Sequence, residues 1–170
     1  MKSSFKFLFV FIIFSCSKIH NYDTVEYVDI NKFMGEWYVI ASVPTFIEKN
    51  AVNPIETYSL NKDGYIDTDF SFYIDKSKNK MKQYHFKAFI RNVDSNAEWG
   101  MQFFWPLRVS YLIVDLADDY SYTVVSVPSK KYIWIMSKND TISNGQYQEI
   151  LDRLYKRGYD ISKIIKTIQI

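Results

Sequence analysis

The sequence predicts an all-β protein: an eight-stranded antiparallel up-and-down β-barrel with a C-terminal flanking α-helix and a final short strand. Three observations predict this fold. From position 35 onward, short segments rich in β-branched and aromatic residues alternate with turn residues. The first segment carries Gly35 and Trp37 on one strand face, so the backbone passes close under a large ring that can plug a closed sheet. After the eighth segment, apolar residues recur with a helical period.

Eight segments have the length and composition of strands. The first follows one helical turn at residues 29–34, and a long loop at residues 43–53 separates it from the second. The strands are predicted at residues 35–42, 55–60, 65–74, 83–90, 98–104, 108–116, 120–127 and 131–137. Eight such strands can close and leave no exposed edge, around an interior that holds one small ligand.

The third and fourth predicted strands alternate most clearly. Side chains two residues apart share a strand face, so one set in each strand should point into the barrel. The predicted inward residues are Ile66, Thr68, Phe70, Phe72 and Ile74, and then Tyr84, Phe86, Ala88 and Ile90. Asp67, Asp69 and His85 fall on the opposite, outward faces.

A helix is predicted after the eighth strand. Ser143 is its expected N-cap, with Gln146 three residues later completing a capping box, and Gly158 fits the position just beyond its end. Its apolar stripe consists of Tyr147, Ile150, Leu151, Leu154 and Tyr155. Residues 164–170 then predict a final strand that can pair beside the first.

Length and charge restrict the class of protein. A chain of 170 residues suits one domain, and 21 Lys and Arg against 19 Asp and Glu give no basic surface for nucleic acid. Aromatic residues make up 18% of the chain. They can line a cavity with rings, although their good strand-forming tendency is an equal explanation of their number.

The N-terminus has the pattern of a targeting segment. Residues 1–6 form a short basic segment, residues 7–14 are apolar, and Cys16 lies between two serines. Eight apolar residues cannot span ~30 Å of hydrocarbon as a helix. Two cleavage patterns fit: a lipoprotein site before Cys16, or ordinary secretory cleavage at Ser17. The first gives a signal peptide at 1–15, a lipidated tether at 16–28 and a barrel domain at 29–170.

Three segments carry a resemblance to the lipocalin family. They are Gly35-Glu36-Trp37-Tyr38, Asp115-Leu116-Ala117-Asp118-Asp119-Tyr120 and Tyr132-Ile133-Trp134-Ile135-Met136-Ser137-Lys138. Lipocalins usually carry arginine where Lys138 stands, packed across the tryptophan. Within the family the chain resembles the bacterial outer-membrane lipoprotein lipocalins, an apolipoprotein D-like branch, through Phe103-Phe104-Trp105-Pro106 and residues 157–163.

The resemblance implies a location and a ligand. Residues 13–16 resemble a bacterial lipobox, in which acylated Cys16 becomes the mature N-terminus, and serine at position 17 implies the outer membrane of a Gram-negative bacterium. Secretion or a periplasmic location is the alternative if cleavage occurs at Ser17. The implied ligand is a lysophospholipid or fatty acid held in the barrel. The resemblance is compatible with a homodimer as well as with a monomer.

The residues expected to contact that ligand are mostly aromatic. We expect the lining to include Phe70, Phe72, Tyr84, Phe86, Phe103 and Tyr111, with Trp105 at the rim and Arg108, Tyr84 and Tyr111 as donors to a head group. Core packing is the competing role for this lining set. Trp37 is expected to be the structural plug rather than a ligand contact.

The sequence offers no catalytic chemistry. It has no metal-ligand spacing, phosphate-binding glycine loop or nucleophile elbow, and no barrel cysteine of the kind that lipocalin-like isomerases use. We therefore expect no enzyme, no metal and no cofactor. The alternative function is an envelope protein-interaction module with a filled barrel, whose docking surface would include Tyr65, Tyr73 and Trp99.

Overall fold

The computed structural model describes residues 22–48 and 50–170. The predicted signal peptide, Cys16 and residues 17–21 of the predicted tether lie outside the described residues. A helical turn, α1, spans Ile30–Phe33, and a longer helix, α2, spans Asn144–Lys156. The strands are β1 Gly35–Val43, β2 Val52–Leu60, β3 Ile66–Tyr73, β4 Met81–Ile90, β5 Glu98–Phe104, β6 Leu107–Leu116, β7 Tyr122–Ser126, β8 Ile133–Ser137 and β9 Ile165–Lys166. A 3₁₀ turn at Ile161–Lys163 precedes β9.

Strands β1 to β8 form a closed antiparallel barrel. Each strand pairs with the next along the chain, and β1 closes the ring by pairing with both β2 and β8. The start of β1 pairs with the end of β2, from Gly35 opposite Tyr58 to Tyr38 opposite Ile55. The predicted up-and-down barrel is therefore confirmed.

The predicted final strand lies outside the ring. Only two of its residues form β9, with Lys166 opposite Ala41 and Ile165 opposite Ser42. The rest of the segment stays beside the barrel through hydrogen bonds, including one from the Asn53 backbone N–H to the Ile168 carbonyl at 2.8 Å. This segment occupies the space where β1 and the start of β2 diverge.

Strand β2 begins earlier than predicted. The sequence places Pro54 before the strand because proline cannot donate a backbone hydrogen bond, yet β2 starts at Val52. The pairing with β3 shifts register between Val52 and Ile55, so Pro54 sits in an irregularity where its missing N–H is tolerated. Strand β7 begins later than predicted, because Tyr120 belongs to the preceding turn with a φ of 61°.

Helix α2 packs against the outside of the barrel, as its apolar stripe predicts. The Gln146 backbone N–H donates to the Ser143 side chain at 3.1 Å, which confirms the N-cap. Ile150 and Leu154 are buried against outward-facing residues of the barrel wall, Leu112, Val114, Val124, Ile133 and Ile135 among them. Tyr155 does not join this contact and is mostly exposed.

A cluster of rings fills the closed end of the barrel. Trp37 is fully buried, and its indole N–H donates to the Phe33 carbonyl at 2.7 Å. The Phe33 ring lies 5.0 Å from the Trp37 ring and 5.2 Å from the Trp99 ring. The turn of helix α1 and the first strand therefore form one packed unit that plugs this end.

Lys138 closes the plug from outside. Its Nζ lies 4.0 Å from the centre of the Trp37 ring and donates to the Met34 carbonyl at 2.9 Å. Gly35 has a φ of +97°, and a β-carbon there would lie 3.6 Å from this ammonium group. Burial lowers the pKa of Lys138 to about 8.

The turn between β6 and β7 is tied to the same end. The Asp119 carboxylate accepts from the Ser121 backbone N–H at 2.9 Å, and the Tyr120 hydroxyl accepts from the Asp29 backbone N–H at 2.7 Å. Asp29 in turn caps α1. Tyr38, the remaining residue of the predicted motif, is half-buried in β1 opposite Ser137.

Candidate ligand-binding cavity

A cavity of about 550 Å³ occupies the barrel above the ring cluster and opens at the opposite end. Side chains from most of the barrel strands and from the β1–β2 loop line it. Its volume lies within the usual range for small-molecule sites. The aromatic lining residues are Phe46, Phe70, Phe86, Phe103, Phe104, Tyr111, Tyr132 and Trp134.

Four predicted ligand residues come together in this lining: Phe70, Phe86, Phe103 and Tyr111. They come from β3, β4, β5 and β6, and the Phe86 and Phe103 rings meet edge to face at 4.8 Å. The alternation of inward and outward residues is what places them together.

Phe72 and Tyr84 face the same way but do not line the cavity. Phe72 is buried with its ring 5.2 Å from Phe70, and Tyr84 lies 6.3 Å from Phe72 and 6.2 Å from Phe86. These two rings therefore pack beside the lining residues Phe70 and Phe86.

The rim of the open end is rich in exposed apolar side chains. Trp105 is 85% exposed in the hairpin between β5 and β6, and Phe46 in the β1–β2 loop is 90% exposed. Phe104, Leu107 and Tyr132 are also exposed. Burying these side chains would be favourable, so their exposure at the entrance distinguishes this end of the barrel from the closed end.

Arg108 lies outside the barrel. Its guanidinium sits 3.5 Å from the centre of the Phe89 ring, on the outer surface. Alternation in β6 explains this position, because Arg108 and the inward-facing Tyr111 are three residues apart and occupy opposite faces. The structure does not bring Arg108 together with the cavity residues.

Trp99 occupies the face opposite to the one expected for a docking surface. It is fully buried inside the barrel, with its ring 5.9 Å from the Tyr111 ring. Trp99, Met101 and Phe103 share one face of β5, and Phe103 faces the cavity. The outward assignment of Trp99 is therefore wrong.

The β1–β2 loop is held over the cavity by Glu48. One carboxylate oxygen accepts from the Trp134 indole N–H and the other from the Thr45 backbone N–H, both at 2.7 Å. Both residues line the cavity. Glu48 could not be selected from the sequence, because its partner Trp134 lies on β8, far along the chain.

A buried carboxyl group lies at the inner end of the cavity. Glu56 points inward from β2, and its Oε2 accepts a hydrogen bond from the Tyr111 hydroxyl at 2.8 Å. The Tyr58 hydroxyl contacts both Glu56 Oε2 and the Tyr111 hydroxyl. Glu56 and Tyr111 line the cavity, whereas Tyr58 lies below them against the ring cluster.

Burial raises the pKa of Glu56 to about 7, against the opposing effect of its hydrogen bonds with Tyr58 and Tyr111. Glu48 also raises it. Burial likewise raises the pKa of both tyrosines well above their usual value.

One known protein family matches nearly the whole described chain. The family described as a lipocalin-like domain matches residues 28–169. The chain belongs to the lipocalin family. The three resembling segments thus belong to a match that covers nearly all of the described chain.

Relatives of this lipocalin come from several kingdoms. Temperature-induced lipocalin-1 of Arabidopsis thaliana is 28% identical over 155 residues, 86% of this chain and 82% of the relative. Outer membrane lipoprotein Blc of Escherichia coli K12 is 28% identical over 158 residues, 91% and 89%. Apolipoprotein D of Mus musculus is 30% identical over 154 residues, 85% and 78%. The implied bacterial lipoprotein and apolipoprotein D-like relationships are confirmed.

Solved structures share the fold of this lipocalin. Lobster apocrustacyanin A1 superposes with a TM-score of 0.66 at 11% identity, covering 84% of this chain and 80% of that one. Insecticyanin from the tobacco hornworm Manduca sexta gives 0.63 at 17% identity, covering 85% and 82%. Identity this low supports the fold alone.

Within residues 22–48 and 50–170, His, Cys, Asp and Glu form no group of three able to hold a metal ion. Neither helix of the described chain has the length and apolar character needed to cross a bilayer. Family and cavity together support a protein that binds a small hydrophobic ligand.

Proposed function

We propose that this lipocalin binds and carries a lipid amphiphile, a fatty acid or lysophospholipid, with its acyl chain in the barrel. The observation that carries the proposal is the apolar cavity, closed by rings at one end and open at the other. Burying a chain of ~16 carbons at ~0.8 kcal/mol per CH₂ contributes on the order of 10 kcal/mol before the costs of association. Micromolar affinity is therefore within reach.

The exposed rim supports the orientation of the ligand. A polar head would remain at the entrance, beside Trp105 and Phe46, while the chain passes along Phe103 and Phe86 toward the interior. Arg108 has no part in this arrangement because its guanidinium stacks on the outer surface. The head group would instead meet backbone and hydroxyl groups at the rim, such as Tyr132.

The proposal includes a membrane anchor. Acylation of Cys16 would hold the barrel at the outer membrane, and several of its relatives are outer membrane lipoproteins by name. Residues 17–21 would connect the anchor to the barrel, because the segment after them already contacts it: the Val25 backbone N–H donates to the Ile113 carbonyl at 3.0 Å, and Val28 is fully buried. A lipid carrier placed there could take part in storing, moving or maintaining envelope lipids.

Native mass spectrometry of the protein lacking residues 1–16, titrated with hexadecanoic acid and with a lysophospholipid, tests the binding. We expect one ligand per barrel, or one per dimer. Val127 lines the cavity, and Val93 is an exposed residue of the β4–β5 turn, so Val127→Trp should reduce affinity at least about tenfold while Val93→Trp should not. Failure of the unmodified barrel to bind either lipid would refute the carrier function. Equal binding by all three proteins would place the lipid outside the cavity.

Metabolic labelling with a radioactive fatty acid tests the anchor in a Gram-negative host. The full chain should incorporate label and remain with the outer membrane, and Cys16→Ser should lose both properties. A Ser15→Ala variant serves as the matched control, since it keeps the cysteine. An unlabelled mature protein beginning at Lys18 would show secretory cleavage after Ser17 instead.

A further inference from the structure

The inner end of the cavity is more polar than its apolar walls require. Glu56, Thr68 and Tyr111 all line the cavity at this end, among the side chains of Phe70, Phe86 and Met101. An amphiphile whose chain ends in a methyl group would place apolar atoms against them. Polar groups buried against hydrocarbon without partners cost free energy, so this end of the cavity suits a ligand that is polar there.

Glu56 keeps one oxygen unused. The Tyr58 and Tyr111 hydroxyls both reach Oε2, and no described residue hydrogen-bonds Oε1. Because Oε2 accepts from both hydroxyls, the two tyrosine protons are used within the cluster. What remains for a ligand is Oε1, which donates when Glu56 is protonated and accepts when it is ionised, and a hydroxyl group can meet it in either state.

Thr68 supplies the second polar atom. Its side chain is 1% exposed, and its hydroxyl oxygen is buried without a hydrogen-bond partner in the described structure. Thr68 lies diagonally across the β2–β3 ladder from Glu56, because Glu56 is opposite Phe70 and Thr68 is opposite Tyr58. Such diagonal neighbours are about 7–8 Å apart along the backbone and closer between their side chains, so one small polar group can meet both side chains. Rotation about χ1 redirects the threonine hydroxyl without moving the backbone.

We infer that Glu56 and Thr68 form a subsite for a hydroxyl group on the buried end of the ligand. The hydroxyl would hydrogen-bond both Glu56 Oε1 and Thr68 Oγ1, as donor to one and acceptor from the other, satisfying both unpaired atoms. The ligand class is an amphiphile whose chain is hydroxylated at the end remote from its head group. This inference rests on the proposed lipid-binding function and names the chemistry of its ligand.

A terminal hydroxyl fits this subsite better than a carboxylate or an amine. A carboxylate would face Glu56 and, farther up, Glu48, with no described cation among the cavity-lining residues. An ammonium group would lose its hydration shell in an apolar barrel and gain one carboxyl that is itself protonated below neutral pH. A neutral group with one donor and one acceptor matches the two unpaired atoms.

Three ligands of equal chain length test the inference at pH 6: hexadecanoic acid, 16-hydroxyhexadecanoic acid and 1-hexadecanol. We expect the 16-hydroxy acid to bind about tenfold more tightly than hexadecanoic acid, the scale of one buried hydrogen-bond pair. In 1-hexadecanol the hydroxyl is the only polar group and therefore the head group, so this ligand tests whether the subsite binds a head-group hydroxyl. A preference for hexadecanol over both acids would overturn the assignment to the chain end.

Thr68→Val removes the unpaired hydroxyl at nearly constant volume. It should reduce the preference for the 16-hydroxy acid to about threefold or less and leave hexadecanoic acid binding unchanged or improved. Thr57→Val, on the outward face of the same sheet, is the matched control and should keep the full preference. Equal affinities of the intact protein for the two acids would overturn the inference even if the variant does not fold. Binding of none of these three ligands and of no lysophospholipid would instead refute the lipid-carrier function itself.

Discussion

The two ends of the barrel use the same kind of residue in opposite ways. At the closed end, Trp37, Phe33 and Trp99 are fully buried, and both indole N–H groups have backbone partners. At the open end, Trp105 and Phe46 stand largely in solvent. The number of aromatic residues therefore does not distinguish rings that stabilise the fold from rings that serve ligand binding. The distinction lies in whether a ring is enclosed and whether its polar atom is bonded.

Replacing the central ring of the closed end should have the largest effect on stability. Trp37→Ala deletes a fully buried indole and its hydrogen bond to Phe33, and removes the surface on which Lys138 packs. We expect a loss of about 3–5 kcal/mol in the free energy of unfolding, measured by urea titration. A loss below about 1 kcal/mol would show that the closed end is not what holds the barrel together.

Glu56 marks the boundary between the two ends, and its effect should depend on pH. Its pKa is raised to about 7 in the folded protein from an ordinary value of 4.5, so the folded state binds more protons between these values. Stability should therefore fall as pH rises from about 4.5 to 7, by about 3 kcal/mol from this group. Glu56→Gln cannot ionise and should remove that contribution. Between pH 4 and pH 8, the free energy of unfolding of the variant should therefore rise by about 3 kcal/mol relative to that of the wild type.

Parallel unfolding titrations at several pH values measure this difference. The exposed Glu26→Gln is the matched control and should follow the wild type at every pH. A Glu56→Gln variant that also follows the wild type would mean that Glu56 ionises as freely in the folded chain as in the unfolded one.

The smallest effect on stability is expected at the rim. Trp105→Ala should change the free energy of unfolding by less than about 0.5 kcal/mol, because the side chain has few neighbours to lose. Affinity for hexadecanoic acid should also change little, since Trp105 does not line the cavity. Urea titration and a ligand titration of the same variant check both. A large loss of stability would mean that the rim packs more tightly than its exposure indicates.

Periodicity predicts the fold and half of the ligand residues, and the alternation of strand faces explains the errors at Arg108 and Trp99. Phe70, Phe86 and Phe103 could be placed because their strands alternate clearly. Trp99 could have been placed by the same rule, since it lies four residues from Phe103 and must share its face. An outward Trp99 is incompatible with an inward Phe103 on the same regular strand.

Glu56 was beyond the reach of alternation alone. In β2 each face carries one aliphatic residue and two polar or amphipathic ones, Leu60 with Glu56 and Tyr58 on one face and Ile55 with Thr57 and Ser59 on the other, so neither face identifies itself as the inner one. The missing information is the register across a long loop. Trp37 stands directly opposite Glu56, and residues directly opposite share a face, so the inward direction of Trp37 fixes that of Glu56.

The double pairing of β1 has a consequence for how the chain folds. Most neighbours in this barrel are joined by hairpins and can form soon after both strands exist, but Val39 of β1 must find Met136 of β8. Contacts between residues so distant in sequence carry a large loop-closure cost and slow the search. Until they form, one edge of β1 and one edge of β8 are open to pairing with other chains. Folding intermediates of this protein should therefore be aggregation-prone along that seam, and a binder of unfolded chains that covers it would raise the folding yield.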